Sequence, residues 1–322
     1  MRFVVEAPHR AGWLPVWDDP EALSTLDRLI ARADEAAHEV VLRDADLLDE
    51  SEWFRDARTK MRDRLLELRE LARASAWTTT SARSASWPVT TLAEAERALR
   101  MANSPVKVLV ENRLRDGALL EVAVRLLAGE PLRLLWINPP APVAIDVLHA
   151  GGSGDMPGFI EREAAQARQA DLPLRLIVIA DSDRSGPHQP PSKQATRIEQ
   201  IAFQQGARPF ILTKREGENY IPDDHWRAEL QRNPHNPNWT QTMTDILAMS
   251  ADDRDYCDME KLGGKQLTPH YDPNRPYHLE LLLQRVRQTH DSASLDAIAE
   301  GLRARDHSDD LIAILNLIEQ ER

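Results

Sequence analysis

The sequence lacks the features that define several large classes of protein. It contains one cysteine, Cys257, in 322 residues, which excludes an internal disulfide and any zinc site built from cysteines. No apolar run is long enough to cross a membrane, and the N-terminus does not follow the pattern of a secretory signal. We therefore predict a cytoplasmic protein that does not enter a membrane.

An excess of positive charge is also absent. The formal net charge is −12 at pH 7, so the molecule as a whole repels the phosphate backbone of nucleic acid. Any contact with nucleic acid must therefore come from a local basic groove, from a partner or from a bound metal ion.

Two catalytic signatures are missing as well. The segment "GGKQL" around Lys265 lacks the spacing and the hydroxyl of a nucleotide-binding phosphate loop. We therefore do not expect this chain to hydrolyse ATP through such a loop. The segment "GGSGD" ends in Asp155, where the nucleophile elbow of a serine hydrolase requires glycine. A serine hydrolase of that type is therefore also excluded.

The patterns that are present divide the chain into three regions. Residues 1–104 are predicted to be mostly helical after an opening strand, because apolar residues recur at helical spacing. Residues 223–322 also show helical spacing. Between them, residues 105–222 alternate short apolar runs with amphipathic segments, which is typical of an α/β domain with a mostly parallel, Rossmann-like sheet.

The expected elements of the central region follow from these runs. Strands are predicted at 106–110, 132–137, 144–150, 174–180 and 208–214, and helices at 116–128, 156–170 and 193–205. In folds of this kind, ligands bind beyond the carboxyl ends of the strands. The polar residues that follow the predicted strands are therefore the candidates for a functional site.

Acidic residues follow three of these strands. They are Glu111 and, at the start of the next helix, Asp116; then Asp181 and Asp183; and finally Glu218, with Glu216 beside it. Oxygen ligands from several loops, without a histidine cluster, suit Mg²⁺ or Mn²⁺ better than zinc. A bound cation would also explain why two aspartates are tolerated one residue apart, since like charges repel.

A glycine-rich turn follows another strand. Gly151 and Gly152, with Ser153, are predicted to form a loop that contacts the backbone or a phosphate of the substrate, because glycine permits positive φ and close approach. Taken singly, each signal has a simpler reading. An Asp-x-Asp pair can be a helix N-cap, Glu111 a solvated strand end, and the glycines an ordinary turn.

The order of these signals resembles the Toprim domain of topoisomerases, primases and some nucleases. That family carries a glutamate after its first strand, glycine after a second and Asp-x-Asp after a third. The chain is most similar to nucleases of the overcoming-lysogenization-defect (OLD) type and to their stand-alone relatives in phage defence. Asp116 matches their second acidic residue, "ENY" at 218–220 matches their terminal box, and Lys265 matches a Gly-Lys in their helical tail. The sequence departs from the pattern at Asn112, usually glycine, and at Gly217, usually hydrophobic.

The resemblance implies an endonuclease that depends on Mg²⁺ or Mn²⁺ and cleaves nucleic-acid phosphodiesters, with DNA favoured over RNA. It also implies an effector of antiphage defence whose ATPase is a separate subunit, and it leaves homo-oligomerisation open. One or two ions would be held by Asp181, Asp183 and Glu111, with Asp116 and Glu218 as further ligands. Glu111 could instead act as general base, and Lys265 would neutralise charge on the phosphate.

Three other functions stay open at the level of sequence. A haloacid-dehalogenase-type phosphatase also uses Asp-x-Asp, with the first aspartate as nucleophile, although its motif usually ends the first strand of the domain. A nucleotidyl or glycosyl transferase could use the same motif, but no nucleotide-binding signature accompanies it. A catalytically silent Toprim protein would serve as a structural or sensor subunit.

Overall fold

The computed structural model describes residues 1–6, 16–43, 45–75, 86–232, 235, 237–259 and 277–322. The strands are β1 (Arg2–Val5), β2 (Glu39–Leu42), β3 (Ser86–Val89), β4 (Val106–Val110), β5 (Ile145–His149), β6 (Leu176–Ala180) and β7 (Arg208–Ile211). They form two sheets in which all pairings are parallel, one in the order β2-β1-β3 and one in the order β5-β4-β6-β7. The predicted α/β class with parallel strands is confirmed.

Helices surround both sheets. They are α1 (Pro20–Glu35), α2 (Glu52–Asp56), α3 (Thr59–Ser75), α4 (Leu92–Asn103), α5 (Asp116–Leu127), α6 (Glu130–Ile137), α7 (Met156–Gln169), α8 (Lys193–Gln205), α9 (Asp223–Arg232), α10 (Pro237–Ala248), α11 (Ala251–Asp255), α12 (His278–Gln288), α13 (Ser292–Arg305) and α14 (Asp310–Glu321). Within the described ranges, no helix is both long and apolar enough to cross a membrane.

One predicted strand of the central region is wrong. Residues 132–137 belong to α6, a helix with Pro131 in its first turn, where proline fits because its missing N–H would have no helical partner. Leu132 and Leu135, three residues apart, are buried on one face, whereas Leu134 and Ile137 are exposed. A short apolar run fits a strand or a helix equally well, and here packing of one face decided the outcome.

The N-terminal region contains two strands that the sequence patterns did not predict. β2 and β3 each have four residues and flank β1 in register. Phe3 and Val5 of β1 join Leu26, Leu29 and Ile30 of α1 in a core of their own. Strands this short carry too few residues to show alternation, which is why a mostly helical region was predicted.

The four-stranded sheet has its helices on opposite faces. Val108 of β4 packs with α5 in one buried cluster, whereas its neighbour Leu109 packs with α7 and α8 in another, because successive strand residues point to opposite sides. The helix after β4 and the helix after β6 therefore lie on different faces. This arrangement opens a crevice between the carboxyl ends of β4 and β6, the usual position for a ligand in such a sheet.

The C-terminal helices complete the core on the α5 side. Leu279 and Leu282 of α12, Leu302 of α13 and Ile314 of α14 are buried in the same cluster as α5 and β4. They cover the apolar face that α5 and the sheet would otherwise expose to water. The site at the end of β4 therefore depends on packing by residues distant in sequence.

A buried ionic network fixes these helices to the end of β7. The Lys214 ammonium lies 2.6 Å from Oδ1 of Asp255, and Arg305 donates to the same carboxylate. Arg305 also donates to the carbonyl of Asn219 at 2.8 Å. Burial lowers the pKa of Lys214 to about 8, which the partner Asp255 opposes. Two cations thus share one buried acid, and each depends on it for neutralisation.

We predict that Asp255→Ala lowers the free energy of unfolding by about 3 to 5 kcal/mol, because it leaves two buried cations without their acid. Urea unfolding followed by circular dichroism measures the change. Arg208→Ala serves as the control, since Arg208 is 66% exposed in its pair with Glu321 and such a pair contributes under about 1 kcal/mol. Equal losses in the two variants would contradict the role of Asp255.

Candidate functional site

Two acidic residues lie side by side at the carboxyl edge of the four-stranded sheet. Glu111 follows the last residue of β4 directly, and Asp181 follows the last residue of β6. The two strands are neighbours paired in parallel, so their ends meet at the same edge. The structure thus brings these two predicted residues together at the crevice between β4 and β6.

Asp116 is held over the same point by its own loop. Its Oδ2 accepts a hydrogen bond from the backbone N–H of Asn112 at 2.8 Å, and Asn112 Oδ1 accepts one from Leu114 N–H at 2.8 Å. These bonds close the turn between β4 and α5. Asp116 and Asp181 line one small cavity of about 20 Å³, whose other walls are mostly apolar: Leu119, Leu120, Ala123, Ile179, Ala180, Leu212, Gly217, Leu311 and Ile314.

The surroundings of these carboxyl groups disfavour their charged forms. The pKa of Asp116 is raised to about 7, chiefly by burial and also by the nearby carboxylates of Glu218 and Glu111, although the hydrogen bond from Asn112 N–H opposes the rise. Burial also raises the pKa of Asp181 well above its usual range, and Asp116, Glu218, Glu111 and Glu216 add to that rise. Five carboxyl groups therefore repel one another across the crevice. A cation placed among them would relieve this repulsion.

Glu218 reaches the cluster from a short 3-10 helix, Gly217–Tyr220, after β7. A β-carbon on Gly217 would lie 3.4 Å from Leu119 Cδ2 and 3.6 Å from Asp116 Oδ1. These are ordinary van der Waals distances, so Gly217 packs closely against both residues at the position where the resemblance leads us to expect a hydrophobic residue. Glu218 Oε1 lies 3.9 Å from the Arg115 guanidinium, and both side chains are largely buried.

The other residues of this short helix act as structural anchors. Asn219 Nδ2 donates to the carbonyls of Arg254 at 2.6 Å and Cys257 at 3.1 Å. The Tyr220 hydroxyl donates to the carboxylate of Asp310 at the start of α14. Asn219 and Tyr220 are both fully buried. In "ENY", the last two residues therefore hold the loop in place, while Glu218 contributes its charge to the cluster.

The Asp-x-Asp pair separates into two environments. Ser182, between the aspartates, is fully buried and donates to the carbonyl of Lys214 at 2.6 Å. Asp183 is exposed and has a left-handed backbone with φ of 53°, and its N–H donates to the carbonyl of Arg215 at 3.0 Å. Ser182 thus fixes the loop so that Asp181 lies in the crevice and Asp183 at its solvent-exposed rim.

The glycine turn after β5 borders the same crevice. The backbone N–H of Gly151 donates to the carbonyl of Glu111 at 3.2 Å. Gly151 and Gly152 have φ of 89° and 154°, which only glycine adopts readily, and a β-carbon on either would meet no atom within 4 Å. The carbonyl of Ser153 accepts from Gln194 at 2.7 Å. The turn is therefore anchored at Ser153 and open beside Glu111.

The donor set fits a hard divalent cation by its chemistry. It consists of carboxylate oxygens whose repulsion a cation would offset. In the part of the chain that the structure describes, no three acidic, histidine or cysteine side chains are arranged to hold one ion. Lys265, the predicted cation, lies outside the described residues.

Three residues of the site were not assigned a role from the sequence. Arg115 approaches Glu218, Glu216 adds its charge near Asp181, and Ser182 fixes the loop between the aspartates. Glu216 also accepts from Met259 N–H at 2.6 Å. The sequence showed Glu216 as an acidic residue after the last strand but gave it no role, and Arg115 and Ser182 showed only that they adjoin Asp116 and Asp181.

We predict that Asp181→Asn stabilises the metal-free protein at pH 8 by about 1 to 2 kcal/mol, a common gain when a functional site is relaxed. A carboxyl group with a raised pKa stabilises the fold below its usual pKa of 3.8 and loses that contribution as the pH rises. The gain in the variant should therefore disappear near pH 4. Urea unfolding at pH 4 and pH 8 measures the change in the free energy of unfolding, and Asp296→Asn, at an exposed position, serves as the control. A loss of stability in Asp181→Asn at pH 8 would contradict the prediction.

No protein-family model, curated protein or solved structure matches this chain.

Proposed function

We propose that this protein is a Toprim-type endonuclease that depends on Mg²⁺ or Mn²⁺ and cleaves phosphodiester bonds of nucleic acid, with DNA as the favoured substrate. The observation that carries the proposal is the crowding of five carboxyl groups, centred on Asp116 and Asp181, at the carboxyl ends of β4 and β6. Such crowding destabilises a protein unless a bound ligand offsets the repulsion. A hard divalent cation is the ligand that carboxylate oxygens bind best.

Asp181, Asp116, Glu111 and Glu218 would hold the cation, which when bound lowers the pKa of water and offsets charge on the phosphate. The protein groups have their own tasks. Glu111 adjoins the open Gly151 turn and is suited to accept the proton of the attacking water. The glycine turn leaves space for a sugar-phosphate backbone.

The two remaining members of the predicted set have different tasks in this proposal. Asp183, at the rim, would bind a second cation or a water of the first one. Lys265, which the resemblance assigns to the site, would neutralise charge on the phosphate. Bound cations would also let nucleic acid approach a protein of net charge −12.

A phosphatase of the haloacid-dehalogenase type is less well supported. Its Asp-x-Asp motif usually ends the first strand of the domain, whereas β4 and β5 precede β6 here, and Glu111 and Glu218 would have no role. A catalytically silent Toprim subunit is the second candidate. It would keep this fold and bind no metal, but the sequence retains every predicted carboxylate of the site.

We also propose that the energy of ATP enters through a separate subunit, because the sequence contains no phosphate loop. Together with the resemblance to phage-defence nucleases, this supports a two-component antiphage system. Affinity capture of the tagged chain from its native host should recover an ATPase in stoichiometric amount. Capture from infected and uninfected cells without any ATPase would contradict this part of the proposal.

We predict that the purified chain, alone or with its partner, cleaves plasmid DNA in Mg²⁺ or Mn²⁺ and not in EDTA. Asp181→Asn and Glu111→Gln should reduce cleavage by at least about 100-fold, because each removes an anionic ligand, and Asp183→Asn should reduce it as well. The exposed Asp296→Asn should leave it unchanged. Gel electrophoresis of the plasmid, with single-stranded RNA and a phosphomonoester in parallel, measures the activity.

The substrate that the protein cleaves distinguishes the nuclease from the two alternative functions. Hydrolysis of the phosphomonoester without DNA cleavage would support the phosphatase. Binding of Mn²⁺ is measured separately, as a rise in the melting temperature of the wild type that Asp181→Asn abolishes. No such rise, together with no cleavage, would support the silent subunit.

A further inference from the structure

The two edges of the four-stranded sheet differ in how they are protected. β7 forms one edge and carries Pro209, which cannot donate to another strand. Arg208 beside it pairs with Glu321 at 2.9 Å. β5 forms the other edge with the sequence "IDVLH", which contains neither proline nor lysine. Exposed edges usually carry such residues because an unprotected edge pairs with other strands.

The outer backbone groups of β5 are available for such pairing. Ala144 accepts from Val106 N–H at 2.9 Å, and Ala150 donates to Val110 at 3.1 Å. Because successive residues of a strand direct their backbone groups to opposite sides, the groups of 145, 147 and 149 point away from β4. Among the residues that the structure describes, no strand pairs with this outer side of β5.

Apolar surface is concentrated around this edge. A groove of about 420 Å³ lies between β5, α5, α6 and α12, and Trp136, Val143 and Val147 are among its lining residues. Seven large hydrophobic side chains are exposed in the described residues, and four lie on this groove or on α6 beside it: Leu114, Leu134, Ile137 and Val143. Exposed apolar side chains grouped in one region favour a protein interface.

The sequence of β5 matches itself in an antiparallel pairing about a two-fold axis. With Val147 opposite its own copy, Ile145 faces His149 and Asp146 faces Leu148. The residues with outward backbone groups then face one another, as a hydrogen-bonded ladder requires. No two like charges stand opposite, and an apolar residue lies at the centre. The groove also carries both signs of charge, including Arg113 and Glu280, so two copies of an acidic protein can meet there.

We infer that two copies of this chain join through β5 into one continuous sheet. The interface is isologous, since the same strand serves both copies. Antiparallel pairing directs the carboxyl ends of the two sheets in opposite directions, so each copy keeps its carboxylate cluster open. The inference does not depend on the proposed nuclease activity, because it rests on the outward backbone groups of β5 and not on the carboxyl groups of the crevice.

The test is the mass of the full chain in solution, measured by light scattering and by sedimentation over a range of concentrations. The wild type should have twice the mass of one chain. Val147→Pro, which removes an N–H that β4 does not use, and Val143→Asp, which places charge on the apolar rim, should each shift the mass to that of one chain. Phe203→Asp is the matched control, since Phe203 is 78% exposed on α8, and it should remain dimeric.

The register is tested by crosslinking in a Cys257→Ser background. Opposed residues of a hydrogen-bonded pair have Cα atoms about 5.5 Å apart, within the range that a disulfide spans. Val147→Cys should therefore form a covalent dimer on oxidation, and Ile145→Cys should not. A wild type of single-chain mass at all concentrations overturns the inference. A dimer that survives both Val147→Pro and Val143→Asp, or that fails to crosslink at 147, overturns it as well.

Discussion

Repulsion between carboxyl groups at the ends of β4 and β6 is the interaction on which the rest of the site depends. Asp116 and Asp181 line one cavity with mostly apolar walls, and both have a raised pKa because burial and neighbouring acids disfavour their charge. A protein does not gain stability from such crowding. The remaining features of the crevice, including the hydrogen-bonded loop of Asn112 and the short helix with Glu218, hold the acids together against that repulsion.

The force that holds them comes largely from the C-terminal helices. Asn219 and Tyr220, in the loop after β7, form hydrogen bonds to residues beyond position 250. Lys214, in the same loop, forms a buried ion pair with Asp255. Since Arg305 bonds both Asp255 and the carbonyl of Asn219, a single network joins β7, α11 and α13. The charge of Glu218 is therefore placed by contacts that span almost a hundred residues.

The same sheet also presents a second kind of surface. Its carboxyl edge concentrates negative charge, whereas the side of β5 concentrates apolar groups and unused backbone donors and acceptors. The two surfaces differ in chemistry, since one groups carboxyl groups and the other leaves backbone hydrogen-bonding groups unused. Placing them on different sides of the sheet allows an assembly to form without covering the crevice.

The sequence by itself determined the alternation of strands and helices in residues 105–222, because strongly apolar runs such as "LIVIA" leave few alternatives. It also determined that the donors at the strand ends are oxygens. It did not determine α6, β2 or β3, because an apolar run of four to six residues fits the period of a helix or that of a strand. Only the tertiary structure decided which acids meet. Asp183 lies at the rim while Glu216 lies near Asp181, because Ser182 and the network of Lys214 set the two loops, and contacts between residues far apart in the chain leave no trace in local spacing.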